Sequence, residues 1–93
     1  MAENEMKAFT GNYIDEQDTA EHHVISYKKG LLIYNTNKTS YDMRFFPISA
    51  NEFQGIRLGG ADGVLRFTKL VNGKLKMEML QNSQVIGTGT SAR

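Results

Sequence analysis

The amino-acid sequence predicts that residues 1–93 form one all-β domain, an antiparallel up-and-down meander of about eight short strands that closes, or nearly closes, into a barrel. Three observations predict this fold. Apolar and polar residues alternate along most of the chain, as in half-buried strands, and a helical period is almost absent. Turn signals recur near the ~8–12 residue spacing typical of sandwiches and barrels. The links are also too short for parallel crossovers, which favours hairpins between neighbours.

The first element is a short helix. The segment AENEMKAF (2–9) contains good helix formers and places Met6 and Phe9 on one side. A helix this short is marginal alone, so we expect it to form only by packing on the rest of the domain. Strands are predicted, in chain order, at 9–15, 21–28, 31–36, 41–48, 53–58, 64–70, 75–81 and 84–90.

Turn residues separate these strands. Gly30 closes a tight turn before LLIYNT, and GGADG (59–63) is the strongest turn signal in the chain. The Asn-Gly pair at 72–73 lies between two alternating segments. That position predicts a hairpin with a type I′ turn.

The alternation also divides the strands into an inward and an outward face. Phe53 and Ile56 can share a face only if an extra residue intervenes, so we predict a β-bulge at Gly55. The predicted inward side chains are mostly large and apolar: Ile25, Tyr27, Ile33, Met43, Phe45, Phe53, Ile56, Leu58, Leu65, Phe67, Leu75, Met77 and Met79.

The interior of an eight-stranded barrel can be filled by its own side chains or can hold one small ligand. We expect a filled core, because a domain of 93 residues needs that burial to be stable. Methionines fill irregular gaps in cores, but they also form adaptable apolar binding surfaces. The alternative is therefore a small hydrophobic ligand in a site lined by Tyr27, Met43, Phe45, Phe67, Met77 and Met79.

Composition argues against several classes of protein. The chain has no cysteine, which leaves neither a disulfide framework nor a thiolate metal site. No apolar run approaches the ~20 residues of a membrane-spanning helix, and the N-terminus MAENEMKAFTG lacks the apolar segment of a secretory signal. The formal net charge is +1, and Phe45 and Phe67 are assigned to the interior, so we expect no nucleic-acid partner.

The polar residues predict neither a catalytic nor a metal site. His22 and His23 are adjacent on a strand and point to opposite faces, so they cannot bind one metal together. Asp18 and Glu21 are near enough for a weak carboxylate–histidine site, but we expect a solvated strand end. Ser26 lies on the face opposite His23, where the histidine cannot serve as its base. The prediction is a protein that is not an enzyme and has no cofactor.

Several short motifs resemble those of a known family. The residues that match are Gly11 and Tyr13, Gly30 to Ile33, Pro47 to Ser49, Phe53, VLRF (64–67) and GKLKMEM (73–79). In this order they are similar to the small β-barrel-like domain appended C-terminally to bacterial serine β-lactamase-like hydrolases and some peptidases. The resemblance implies a lipocalin-like antiparallel fold and an accessory role, with the catalytic serine and lysine in the hydrolase domain. It implies an extracytoplasmic location if the chain is part of an exported hydrolase; otherwise the compartment is unknown.

Two hypotheses for function come from these observations. The first is a non-catalytic accessory domain that packs against a hydrolase domain or another protein. A cluster of exposed apolar side chains would support it. The second is a lipocalin-like binder of a small hydrophobic ligand. The predicted partner surface of the first hypothesis consists of aromatic and basic residues: Tyr13, Tyr34, Arg44, Phe46 and Arg57.

Overall fold

The computed structural model describes residues 2–37, 42–56 and 63–92, and it confirms the all-β barrel. A short helix, α1 (Glu3–Lys7), precedes eight strands. Each strand pairs antiparallel with the next, and β8 pairs with β1 to close the barrel. The strands are β1 (Gly11–Asp15), β2 (His22–Lys28), β3 (Leu31–Thr36), β4 (Met43–Pro47), β5 (Glu52–Ile56), β6 (Gly63–Lys69), β7 (Leu75–Gln81) and β8 (Gln84–Ser91).

Two hairpins turn through a pair of residues with positive backbone φ. Lys29 and Gly30, between β2 and β3, have φ values of 49° and 82°. Asn82 and Ser83, between β7 and β8, have φ values of 53° and 64°. A type I′ turn requires positive φ at both central residues, and its twist matches that of the flanking strands. The first of these turns fixes the register of β2 on β3.

The turn between β6 and β7 differs from its prediction. Among the residues of this turn, a positive φ is found only at Gly73, with a value of 86°, so the predicted type I′ geometry is wrong. The Gly73 N–H donates to the Leu70 carbonyl at 3.0 Å, and the Leu70 N–H donates to the Lys74 carbonyl at 2.7 Å. The result is a longer loop in which a tight turn ends at Gly73, whose backbone has the left-handed conformation.

The end of the barrel where β1 begins is filled by α1 and aromatic rings. Met6 is 1% exposed. Phe9 stacks on Phe67 with ring centroids 4.7 Å apart and meets Phe53 edge-on at 5.5 Å. The helix therefore packs on the core, as expected for one too short to be stable alone. The buried core side chains are Met6, Tyr13, Ile25, Leu32, Phe45, Phe53, Leu65, Phe67, Met77 and Met79.

One inward assignment fails by a single residue in β3. Strand pairing places Leu32, not Ile33, beside Tyr27 of β2 and Phe45 of β4. A shift of one residue moves a side chain to the other face of a strand, so Leu32 belongs to the core cluster and Ile33 does not. The predictions for Leu58 and for most of the GGADG turn lie outside the described residues.

The predicted bulge at Gly55 is wrong, and so is the inward assignment of Ile56. The pairing of β4 with β5 runs through Gly55 without a shift, which leaves Ile56 53% exposed. A Cβ at Gly55 would lie 3.2 Å from the Phe45 ring, so glycine makes room for that ring. The shift in register occurs instead between β7 and β8, beside Met79.

The opposite end of the barrel, where β1 ends and β2 begins, is called the mouth here. In the part of the chain that the structure describes, four glycines face the interior towards this end. Because glycine has no side chain, less side-chain volume fills the barrel at the mouth than at the α1 end. These glycines are Gly55, Gly63, Gly87 and Gly89. Within the described residues, no helix is long and apolar enough to cross a membrane.

Candidate functional site

The mouth contains a pocket of 220 Å³. Gly63 leaves part of this space empty, because a Cβ there would have its nearest neighbours 3.9 Å away. Among the described residues, side chains fill the barrel at the α1 end and leave a pocket at the mouth. The walls come from β3, β4, β6, β7 and β8, and most of them are apolar. The lining residues are Tyr34, Met43, Gly63, Met79, Leu80, Gln81 and Ile86.

A chain of hydrogen-bonded side chains lies beside this pocket. His23 faces the barrel interior and is 4% exposed. Its Nε2 lies 2.9 Å from Asp15 Oδ1, and its Nδ1 lies 2.8 Å from the Tyr34 hydroxyl. The other oxygen of Asp15 accepts the backbone N–H groups of Gln17 and Asp18 at 3.0 and 2.9 Å. The buried imidazole is thus satisfied on both nitrogens, and the Tyr34 ring is held in place.

The direction of the hydrogen bonds among Asp15, His23 and Tyr34 follows from the donors and acceptors that each side chain offers. The hydrogen bond from His23 is the main cause that lowers the pKa of Asp15. Burial, reinforced by the charges of Glu21 and Asp15, raises the pKa of Tyr34 to about 12. An ionised Asp15 only accepts hydrogen bonds, so Nε2 carries a proton. In the neutral imidazole Nδ1 is then an acceptor, and the Tyr34 hydroxyl donates to it.

The same end of the barrel groups three side chains that could hold a metal ion. One donor atom each from Asp15, Glu21 and His23 lies within 4.8 Å of the other two. Imidazole and carboxylates are ligands that Zn²⁺ accepts. An ion would have to replace the hydrogen bond between Asp15 and His23. The prediction that His22 and His23 lie on opposite faces is confirmed, but the predicted solvated strand end is wrong for His23, which is buried.

The six predicted lining residues are divided between three places. Met43 and Met79 line the mouth pocket. Phe45, Phe67 and Met77 are at most 1% exposed and belong to the filled part of the core. The sixth, Tyr27, is half-buried near α1, where its hydroxyl accepts the Gly30 N–H at 3.0 Å and the Lys7 Nζ lies 5.5 Å from the centre of its ring. The structure therefore brings only two of the six to the pocket.

The predicted partner surface is also divided. Arg44 and Phe46 are exposed on the outside of β4. The assignment of Tyr13 is wrong, because its side chain is 1% exposed and its hydroxyl donates to the Phe9 carbonyl at 2.7 Å. Tyr34 faces the mouth rather than the outer surface. Arg57 lies outside the described residues.

Four apolar side chains and one glutamine form an outer row across five strands. The register pairs Phe46 with Gln54, Gln54 with Val64, Val64 with Leu80, and Leu80 with Val85. We call these five residues the outer stripe. Phe46 is 39% exposed and Val85 is 46% exposed. The stripe therefore presents apolar surface to solvent on the wall of the barrel.

Charged side chains border the outer stripe on its α1 side. The adjacent outward row runs from Glu52 through Arg66 and Glu78 to Thr88. Arg66 Nη2 lies 3.1 Å from Glu78 Oε1 in a salt bridge. An apolar centre with a polar border is the usual composition of a protein–protein interface.

Two residues on and after β2 have the sequence spacing of a hydrolase motif, but the structure does not give them the geometry of that motif. Ser26 and Lys29 have the S-x-x-K spacing of serine β-lactamases and penicillin-binding proteins. Ser26 is exposed on β2, and Lys29 lies in the following turn. Residues three apart share a face of a helix but not of a strand. The spacing therefore does not produce a serine with a lysine base.

The residues that sequence reasoning missed at the mouth are Asp15, His23 and Tyr34. A two-residue turn at 29–30 pairs residue 28 with residue 31, and hence Tyr34 with Ile25. Ile25 was assigned inward, so counting across the turn would also have placed Tyr34 inside. Adjacent inward positions on β2 are two residues apart, which places His23 on the same face.

Comparisons with known proteins add no relative. No family model matches the chain, and no curated protein or solved structure matches it. The association with β-lactamase-like hydrolases therefore stays a prediction from the resemblance.

Proposed function

We propose that this barrel is a non-catalytic accessory domain that packs against a partner protein through the outer stripe. The observation that carries the proposal is the outer row across β4 to β8, which is apolar at every position except Gln54, with Phe46 and Val85 exposed at its two ends. The partner that we propose is a serine β-lactamase-like hydrolase domain, on the strength of the motifs at Gly11–Tyr13 and Pro47–Ser49.

The composition of this surface favours a protein partner. Phe46 supplies an aromatic anchor of the kind enriched in interface cores. Ile56, 53% exposed, pairs with Arg44 in the next outward row and extends the apolar surface towards the mouth. The stripe lies on paired strands, so the interface side chains are held by a rigid scaffold and lose little conformational entropy on binding.

A non-catalytic role is supported by the state of the buried histidine. A serine nucleophile needs a histidine or another base within hydrogen-bonding distance. Both ring nitrogens of His23 are instead bonded to Asp15 and Tyr34. Neither ring nitrogen is bonded to a serine hydroxyl among the described residues, so the arrangement supports a role of His23 in holding Tyr34 and Asp15 in place at the mouth.

The proposal is tested by calorimetric titration of the barrel with a purified serine β-lactamase-like hydrolase domain from the same genome. We expect saturable binding by the wild-type barrel. Phe46→Asp and Val85→Asp each place a charge in the buried interface and should weaken binding tenfold or more, a loss of about 1.4 kcal/mol or more. Val71→Asp is the matched control, because Val71 is fully exposed in the turn between β6 and β7, away from the stripe.

The control should change the Kd by less than about twofold, a difference of roughly 0.4 kcal/mol. Thermal unfolding of all three variants verifies that they are folded. The absence of binding by the wild-type barrel would contradict the proposed partner. Equal weakening by Val71→Asp and Val85→Asp would contradict the assignment of the interface to the outer stripe.

A further inference from the structure

The interior of the barrel has two kinds of glycine position near the mouth. A Cβ at Gly55 would lie 3.2 Å from the Phe45 ring, and a Cβ at Gly89 would lie 3.0 Å from the His23 ring. These two glycines make room for neighbouring side chains. At Gly63, by contrast, the nearest atoms would lie 3.9 Å from a Cβ, so a methyl group would fit there in ordinary van der Waals contact. Gly63 has no such group, and it lines the mouth pocket.

The size of the pocket limits what it can hold. An apolar cavity of about 150 Å³ in a protein core is large enough to bind benzene, whereas pockets for drug-sized ligands begin near ~300 Å³. The mouth pocket has a volume of 220 Å³. It therefore fits a molecule of roughly six to nine non-hydrogen atoms, which is one aromatic ring with a small substituent or a small fused pair.

The side chains that line the pocket determine which class of ligand it favours. Met43 and Met79 place two thioethers at the pocket, and sulfur–aromatic contacts are favourable. Tyr34 adds an aromatic ring, and Ile86 adds an aliphatic wall that is 61% exposed. No Lys, Arg, Asp or Glu is among the described lining residues. The described lining therefore offers no counter-ion to a charged ligand and favours a neutral molecule.

The hydrogen-bonded side chains of Asp15, His23 and Tyr34 hold one wall of the pocket in a fixed position. The Tyr34 hydroxyl is held by His23, and His23 is held by Asp15, whose other oxygen accepts two backbone N–H groups. The Tyr34 ring is therefore in position before any ligand arrives. A wall that is already ordered removes part of the entropic cost of binding.

From these four observations we propose that the mouth pocket is a binding site for a small neutral aromatic molecule, with its ring packed between Met43, Met79 and Tyr34. Tyr34 forms the wall, and Asp15 and His23 are positioning residues that act through Tyr34. The pocket meets the outer stripe at Leu80, which belongs to both, and its other lining residues lie outside the stripe. Binding of the small molecule does not require the hydrolase partner, so the two proposals can fail separately.

The methionines allow a direct test with an internal control. In protein labelled with ¹³C at the methionine methyl groups, indole is the neutral probe and benzoate is the charged probe. Met43 and Met79 line the pocket, whereas Met6 and Met77 are buried in the filled part of the core at 1% and 0% exposure. We expect indole to shift the Met43 and Met79 methyl resonances saturably and to leave Met6 and Met77 unchanged. Benzoate should bind at least tenfold more weakly.

Two variants on strand β6 separate the pocket from general effects. Gly63→Val places a branched side chain at the pocket, where a Cβ would make ordinary van der Waals contact with the Leu80 carbonyl oxygen and Met79 Sδ at 3.9 Å. It should weaken indole binding tenfold or more. Thr68→Val is the matched control, because it places the same side chain on the exposed outer face of the same strand. It should change the Kd less than twofold.

A third variant, Tyr34→Phe, tests the positioning role. It keeps the ring and removes the hydrogen bond to His23, so we expect binding to weaken a few-fold while the Met43 shift persists. Equal shifts at all four methyl groups, or no saturable shift with indole, would overturn the proposal. Unchanged binding by folded Gly63→Val would also overturn it. The titration of the unsubstituted protein decides the question by itself if Gly63→Val does not fold.

Discussion

A single methyl group added at Gly89 should destabilise the barrel, whereas the same group added at Gly87 should not. Both glycines face the interior on β8, opposite Met77 and Met79 respectively. A Cβ at Gly89 would lie 3.0 Å from His23 Cδ2 and 3.1 Å from Tyr13 Cβ. At Gly87 the nearest atom, Met79 Cβ, would lie 3.9 Å away, which is ordinary van der Waals contact.

The magnitude comes from two opposing effects. Replacing glycine with alanine in a compatible conformation stabilises a protein by about 0.4–1 kcal/mol, because the unfolded chain loses freedom. Overpacking a well-filled core costs about 1–3 kcal/mol. At Gly89 the Tyr13 Cβ and the Ile14 carbonyl, 3.3 Å from the added carbon, are fixed by the strand and cannot rotate away. We therefore expect Gly89→Ala to lose about 1–2 kcal/mol net and Gly87→Ala to gain up to about 1 kcal/mol.

Urea unfolding of the wild type and both variants, followed by circular dichroism, measures these differences if the m-value is unchanged. For a domain of this size, 1 kcal/mol corresponds to a change in Tm of about 4–8 °C. A Gly89→Ala barrel as stable as the wild type would refute the packing of β8 against Tyr13 and His23. Equal losses at both positions would also refute it.

Two further predictions concern the β7–β8 turn and the polar chain. Ser83 has a φ of 64°, which suits glycine better than serine, so Ser83→Gly should raise the free energy of unfolding by roughly 0.5–1 kcal/mol, measured by urea unfolding. A stability equal to or below that of the wild type would contradict the type I′ turn. The lowered pKa of Asp15 means that its carboxylate stabilises the barrel above its unfolded-state pKa of about 3.9 and loses that contribution as the pH falls through the lower folded-state value. The stability advantage of wild type over Asp15→Asn should therefore shrink on acidification below about pH 4, and an advantage independent of pH would contradict the Asp15–His23 hydrogen bond.

The strands and their order could be predicted because the information is local. Alternation along β7 places Leu75, Met77 and Met79 on one face, and the structure pairs Met77 and Met79 with inward residues of β6. Links too short for a crossover leave hairpins as the only connection. Closure of β1 on β8 then follows from strand number and twist.

The prediction of which β3 residues face the interior is wrong because the sequence of this strand does not distinguish its two faces. LLIY (31–34) presents apolar residues on both faces, so alternation cannot choose between Leu32 and Ile33. The choice is made by the two-residue turn at 29–30, which pairs Leu32 with the inward Tyr27. Register across a turn, rather than hydropathy within a strand, carried the missing information.

The mouth could not be predicted from the sequence in the same way. Its space arises from glycines such as Gly63, and a glycine in a strand can mark a bulge, a close approach or an empty volume. The structure shows a close approach at Gly55, whereas Gly63 lines the pocket and has room for a methyl group. The burial of His23 depends on Asp15 and Tyr34, which come from two other strands. Only the assembled barrel satisfies that histidine.

The outer stripe is likewise a property of several strands together. Phe46, Val64 and Val85 are far apart in the sequence, and their alignment depends on the register of every strand between them. The shift in register beside Met79 sets where Val85 lies on the stripe. A pattern within one strand cannot reveal that alignment.

The mouth pocket depends on the closure of the barrel between its first and last strands, because its walls include β3 and β8, which a closed barrel brings to the same interior. The most direct measurement is the set of nuclear Overhauser effects between backbone protons of β1 and β8. The structure pairs Tyr13 with Ser91 and Ile14 with Thr90, and the Ala92 N–H donates to the Asn12 carbonyl at 3.0 Å. We expect cross-strand effects for both pairs and slow exchange of the Ala92 amide. Effects between β7 and β8 without any between β1 and β8 would show an open sheet and contradict the account.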